Sequence, residues 1–191
     1  MVTKADIEKL FVKQLAKISD KKLRDQVVEI WVKGCEIGKW NSVDDLRKMP
    51  YTLLTDTRGI NFIEHTLAVT DGAVGLAEAQ TSNYREMPYK LDMDRLIAGG
   101  LLHDVGKLTE IEPDGQGGYR KSHSGRCARH PISGGILAGK FDVSDEVLNT
   151  IVCHAKEGEG RPQVLETILI HQADFATFDP LVMLKKGDLI Q

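Results

Sequence analysis

LIAGGLLHDVGKL, residues 96–108, sets an adjacent His103–Asp104 pair inside an apolar run, with Lys107 one turn further on. Two ionisable side chains in such a setting are costly to bury unless something compensates them. A divalent cation is the simplest compensation, because neutral imidazole and carboxylate oxygen both ligate it well. On a helix, neighbouring side chains diverge by about 100°, so the pair would straddle one ion. Taken alone, the dipeptide is equally compatible with a helix end whose His and Asp face water.

The flanking chain reads as helical. Upstream, Asn61 to about Gln80 forms a longer helix with Phe62, His65, Val69 and Leu76 on one side, and small residues (Ala68, Gly72, Ala73, Gly75) that admit a close neighbour. By itself His65 reads as a hydrogen-bonded core residue or as a ligand. Downstream, EIEPDGQGGYRKSHSGRCAR (110–129) has no apolar period and is expected to be a long loop or loose hairpin. It gathers Arg120, Lys121, His123, Arg126 and Arg129, a local cationic cluster that a solvated surface loop would also explain. His130-Pro131 opens the helix ISGGILAGK with His130 at the cap. Ser144 caps the next helix, Val143 stapling to Leu148, and Val147, Ile151 and His154 share a face. The last helix, VLETILIHQADFATF, is apolar nearly all round and is expected to be buried, with His171 and Asp174 one turn apart. No strand of convincing alternation and no internal repeat is found.

The first quarter contains no histidine. Residues 4–18 place Ile7, Leu10, Phe11, Leu15 and Ile18 on one face, with Thr3 as N-cap. Residues 20–35 repeat the pattern behind Asp20, and Gly34 and Gly38 then loosen the chain. Ser42 caps a short helix that ends before Pro50. Residues 1–57 are therefore expected to be an N-terminal helical layer on a main domain of residues 58–191.

Composition narrows the partners. In 191 residues the net charge is −3, so no global basic field favours nucleic acid, which stays possible but not favoured, and attraction to phosphate must be local. Three distant cysteines (Cys35, Cys127, Cys153) suit free thiols in a reducing compartment. The N-terminus shows no signal-peptide core and no apolar run approaches membrane-spanning length. A cytoplasmic protein with no membrane partner is expected.

Six histidines occur, and His65, His103, His130 and His154 sit on or at the ends of separate helices, with Asp104 and Asp174 as carboxylates. Bundles build metal sites from inward-facing side chains of this kind. The order H…HD…H…H…D resembles the HD-domain superfamily of metal-dependent phosphohydrolases. The matching segments are NFIEHTLAV, LLHDVGK, RHPISGGILA, IVCHAKEGEG and HQADFATFD, covering about residues 58–180. The resemblance implies an all-α HD-domain helical bundle, here with an N-terminal helical extension, and two divalent ions (Fe, Mn or another transition metal). It assigns one ion to His65, His103, Asp104 and Asp174 and the other to Asp104, His130 and His154. Lys107 would contact a substrate phosphate or position water, and Asp104 and Lys107 become the catalytic residues.

HD-GYP cyclic-dinucleotide phosphodiesterases resemble the chain less, because Ala155 stands where their second histidine lies and Arg161 where their tyrosine does. Residues 106–135 are loosely similar to HD-domain exonucleases and nucleotidases. In such a centre ions about 3.5–4 Å apart share a hydroxide that attacks phosphorus. Lys107, Arg120, Lys121, Arg126 and Arg129 would bind the other phosphate oxygens. The expected activity is hydrolysis of a phosphate mono- or diester of a nucleotide or small phosphorylated metabolite. Diiron HD-domain oxygenases of the inositol or phosphonate type share the ligand order and stand as the alternative. A binding module with a structural metal fits less well with a full ligand set and an inward lysine. His171 reads as a support for the Asp174 side or as a satisfied core residue, His123 as exposed, and Cys153 as core.

Overall fold

The computed structural model describes residues 1–190 and is all-α apart from one small hairpin. In chain order the helices are α1 (Lys4–Leu10), α2 (Val12–Leu15), α3 (Lys21–Gly38), α4 (Val43–Lys48), α5 (Phe62–Asn83), α6 (Met93–Leu102) and α7 (Lys107–Glu110). After the hairpin β1 (Ile111–Pro113) and β2 (Tyr119–Lys121) come α8 (His123–Cys127), α9 (His130–Ala138), α10 (Asp145–Cys153) and α11 (Leu165–Lys186). Gln191, the last residue of the expected main domain, lies outside the described residues. Among those described, no helix is long and apolar enough to cross a membrane.

Local chemistry sets the helix starts. Thr3, Asp20, Ser42, Asn61 and Ser144 each accept a backbone N–H of their first turn, and Asn61 with Glu64 forms a reciprocal capping box. The chain pauses at Phe11, so residues 4–18 form α1 and α2 rather than one helix. The buried face of α5 turns as it runs, because 3.6 residues per turn carries it from Phe62, His65 and Val69 to Ala73 and Ala77. Leu76 consequently falls outside it and is exposed.

Two expectations are corrected. Gly34 and Gly38 do not loosen the chain; α3 continues through both, and a Cβ at Gly38 would stand 1.9 Å from the Leu108 carbonyl. Glycine is required because α7 packs there. The 110–129 segment takes the hairpin form of its expectation, β1 pairing antiparallel with β2, and the short helix α8, capped by Ser122, is the addition. Finally, α11 runs on through Pro180 to Lys186 and is only partly buried, with Ile168 and Met183 exposed.

One continuous core joins the first quarter to the rest, from Ile7, Phe11 and Trp31 to Leu101, Leu108, Ile151 and Ile170. Trp31 Nε1 donates to the Leu101 carbonyl and Trp40 Nε1 to that of Leu108, both at 2.8 Å. These bonds satisfy carbonyls on either side of the His103–Lys107 turn, where a helix end leaves acceptors unpaired. Trp31 and Trp40 thus brace the segment that carries the HD pair.

Candidate metal centre

α6 ends at Leu102, so the HD pair lies in the tight turn between α6 and α7 rather than inside a helix. The turn lets Asp104 face four helices at once. α5 supplies His65, the first residue of α9 supplies His130 behind an Arg129 cap, the C-terminal end of α10 supplies His154, and α11 supplies Asp174. Close approach of α9 depends on Gly106, where a Cβ would stand 2.1 Å from the His130 carbonyl and 2.6 Å from the Gly134 nitrogen.

The six side chains expected as ligands meet around Asp104. Its Oδ2 lies 3.2 Å from His65 Nε2 and 3.3 Å from His103 Nε2, and its Oδ1 lies 3.1 Å from His130 Nε2 and 3.6 Å from His154 Nε2. Asp174 joins through His65, Oδ1 to Nε2 at 3.2 Å. Two ligand-like groups result, His65–His103–Asp104 and Asp104–His130–His154, all buried.

Hydrogen bonds on the far side of each ring decide its tautomer. His103 Nδ1 faces the Gly100 carbonyl at 2.7 Å and His154 Nδ1 the Ile151 carbonyl at 2.9 Å. A carbonyl only accepts, so both Nδ1 atoms carry the proton. His130 Nδ1 donates to Glu110 Oε2 at 3.1 Å. His65 Nδ1 meets Thr177 Oγ1 at 3.2 Å, and that hydroxyl in turn donates to the Asp174 carbonyl. In an uncharged ring with its proton on Nδ1, each Nε2 then turns a lone pair toward carboxylate oxygen. His65 Nε2, His103 Nε2, His154 Nε2 and Asp104 Oδ1 are buried without a hydrogen-bond partner. Lone pairs facing lone pairs at this range repel, and buried polar atoms are seldom left unpaired. A cation among them removes both penalties, and N/O donors with far-side hydrogen bonds are what a transition-metal site needs.

Electrostatics agree. Burial would raise the Asp104 carboxyl, but the Lys107 charge leads the groups that outweigh it and hold it well below the ordinary range. Burial pushes His130 down to about 4, against the pull of Asp104, keeping the ring neutral and able to ligate. Lys107 forms a close ion pair with Asp104 Oδ2.

A cleft of about 390 Å³ opens onto this centre, walled by Tyr51, Lys107, Lys121, Arg129, His130 and Asp174 among others. Of the loop cations, Lys121 and Arg129 reach it. Arg120 instead pairs with Glu112 across the hairpin at 2.9 Å, and Arg126 is exposed on α8 away from the cleft wall. His123 is exposed, 3.8 Å from Cys127 Sγ. His171 donates to the His154 carbonyl at 2.6 Å and so steadies the backbone of His154 rather than Asp174. Cys153 is only half-buried.

Four residues escaped the sequence reading. Glu110 accepts from both the backbone N–H and Nδ1 of His130; burial would raise it, but these bonds take it down to about 2. Tyr51 stacks on His65 with centroids 4.0 Å apart and planes 11° apart, and Lys107 Nζ sits 5.6 Å from its ring centre. Lys156 lines the cleft. None of these three has a local pattern that marks it. Thr177, one helical turn beyond Asp174, was within reach of helical spacing.

The sequence pattern of the HD domain family matches residues 62–176. Among curated proteins, the chain is 31% identical over 116 residues to "Ribonuclease Y" of Pseudothermotoga lettingae and 32% identical over 118 residues to that of Thermoanaerobacter pseudethanolicus. "Ribonuclease Y" of Clostridium perfringens is 31% identical over 116 residues. Each match covers 61% of this chain but only 18% of the relative. No solved structure matches significantly. With the matched region enclosing all five ligand-bearing segments and the geometry bringing them together, the chain belongs to the HD domain family.

Proposed function

We propose that the centre holds two divalent ions, one with His65, His103, Asp104 and Asp174 and one with Asp104, His130 and His154, and hydrolyses a phosphate ester. The observation that carries this is the convergence of four imidazoles on one carboxylate, with the buried Nε2 atoms of His65, His103 and His154 unpaired. Bound ions of this kind supply Lewis acidity and lower the pKa of water. The chain's own residues do the rest. Asp104 spans both groups, Glu110 and Thr177 hold ring orientation, and Lys107, Lys121 and Arg129 attract phosphate oxygens into the cleft. In the reaction, water oxygen bonds to phosphorus, the ester P–O bond breaks, and the departing oxygen takes a proton. The ribonucleases among the relatives favour a phosphodiester of a nucleotide as the bond cleaved. Residues 1–57 act as the layer that braces the HD turn, which the Trp31 and Trp40 bonds support.

The test is metal analysis of protein purified without oxygen, then a screen of phosphate mono- and diesters with Mn²⁺ under anaerobic conditions. Ester hydrolysis with Mn²⁺ and no oxygen is expected. Turnover that requires both iron and oxygen would replace this reading with a diiron oxygenase.

A further inference from the structure

Tyr51 lies outside the region 62–176 that matches the family, on the segment between α4 and α5. Its backbone is anchored beside the ligands. The Phe62 N–H donates to the Met49 carbonyl at 2.8 Å, and Pro50 pairs with Asn61, the cap of α5. His65 follows one turn into that helix, and the Tyr51 ring stacks on it with only 1% of the residue exposed. Lys107 Nζ stands over the same ring. The position of the phenol is therefore set by its neighbours, yet its hydroxyl is buried without a hydrogen-bond partner. Asp174 and Asp104 lie within electrostatic reach of it, and neither accepts from it.

A buried hydroxyl left unpaired costs stability, so its partner is to be sought outside the folded chain. The other unpaired atoms of the centre, His65 Nε2, His103 Nε2, His154 Nε2 and Asp104 Oδ1, offer lone pairs to a cation. Tyr51 differs from them. A phenol O–H is a donor at neutral pH, and a cation accepts no hydrogen bond. What satisfies it is the oxygen of an incoming anion, and a bond of that kind is among the strong ones. Tyr51 lines the cleft together with Lys107, Lys121 and Arg129, whose charges draw an anion to the same place. We propose that Tyr51 is a phosphate-binding residue, its hydroxyl donating to a non-bridging oxygen of the phosphate ester held at the centre. This rests on the phosphohydrolase reading above and adds to it a residue from outside the matched region.

Tyr51→Phe keeps the ring and its stack and removes the oxygen alone. The full chain is loaded with Mn²⁺ and titrated with inorganic phosphate by calorimetry. Mn²⁺ affinity is measured by competition with a chelator, and the metal-free protein is unfolded in urea. Phosphate should bind Tyr51→Phe roughly tenfold or more weakly, as expected for one lost hydrogen bond to a charged oxygen. Mn²⁺ affinity should not change. The metal-free variant should unfold at the same urea concentration or a higher one, because an unsatisfied buried group has been removed. Unchanged phosphate affinity in Tyr51→Phe overturns the assignment and leaves the hydrolase reading standing. A lower urea midpoint also overturns it, since the hydroxyl would then have its partner within the fold. Weaker Mn²⁺ binding does the same by moving the hydroxyl's role to the ions. An unmodified, Mn²⁺-loaded protein that binds no phosphate overturns the hydrolase reading and this one together.

Discussion

Glu110→Ala tests whether the far side of the ligand rings controls the centre. In the structure the Glu110 carboxylate accepts from the His130 backbone N–H and from His130 Nδ1, and these bonds fix that ring with its Nε2 lone pair toward Asp104. Removing the carboxylate strands the buried backbone donor, which costs about 1–3 kcal/mol of stability. The Lys121–Glu110 contact at 3.4 Å is partly exposed and adds little. Nδ1 behaves differently, because an imidazole can shed that proton and protonate Nε2 instead. The new N–H then points at Asp104 Oδ1, 3.1 Å away, and a protonated Nε2 cannot ligate. Loss of such a support lowers metal affinity by about 10–100-fold, equivalent to roughly 1.4–2.7 kcal/mol. The assay is competition for Mn²⁺ against a chelator, alongside urea unfolding of the metal-free protein. Glu110→Gln, which keeps an acceptor oxygen, should lose less affinity than Glu110→Ala. A Glu110→Ala protein that unfolds more easily yet binds its full complement of Mn²⁺ with unchanged affinity would refute the tautomer argument.

Other outcomes follow from the same geometry. Asp104→Ala should abolish metal loading, whereas Lys107→Ala should retain or raise it, since the ammonium pairs with the oxygen an ion would use, and should weaken turnover; elemental analysis and phosphate release separate the two, and metal loss in Lys107→Ala would count against the assignment. Gly106→Ala should cost about 1–3 kcal/mol or more, because its methyl meets α9 backbone that cannot move aside cheaply, and should weaken binding at the His130 group more than at the His65 group. Stability of the metal-free protein should fall on acidification. His130 titrates at about 4 when folded against 6.5 for the free group, so the unfolded chain holds more protons between those values and stability drops as pH falls through that window. Glu110, at about 2 against 4.5, carries the loss further below pH 4.5. Urea midpoints at about pH 7, 5 and 3 would show it, and a midpoint that rises toward acid contradicts it.

Much of this protein is written locally. Helices are specified by relations within four residues, so apolar periods and the caps Thr3, Asp20, Ser42 and Ser144 could be read in order along the chain. The ligand set was legible because each member sits in an apolar segment where an uncompensated charge is expensive, a cost visible in the sequence itself. What the sequence leaves open is everything that depends on elements far apart in the chain. Glu110 and His130 are twenty positions apart and Tyr51 and His65 fourteen, and no periodicity links either pair. Gly38 looks like a break until α7 is seen against it, and Gly106 finds its reason only in the close approach of α9; in both the missing side chain makes room for another backbone. The cationic loop shows the division most clearly. Its charges were plain from composition, but only the pairing of β1 with β2 turns Lys121 toward Glu110 and the cleft and Arg120 away to Glu112, because adjacent residues of a strand face opposite sides.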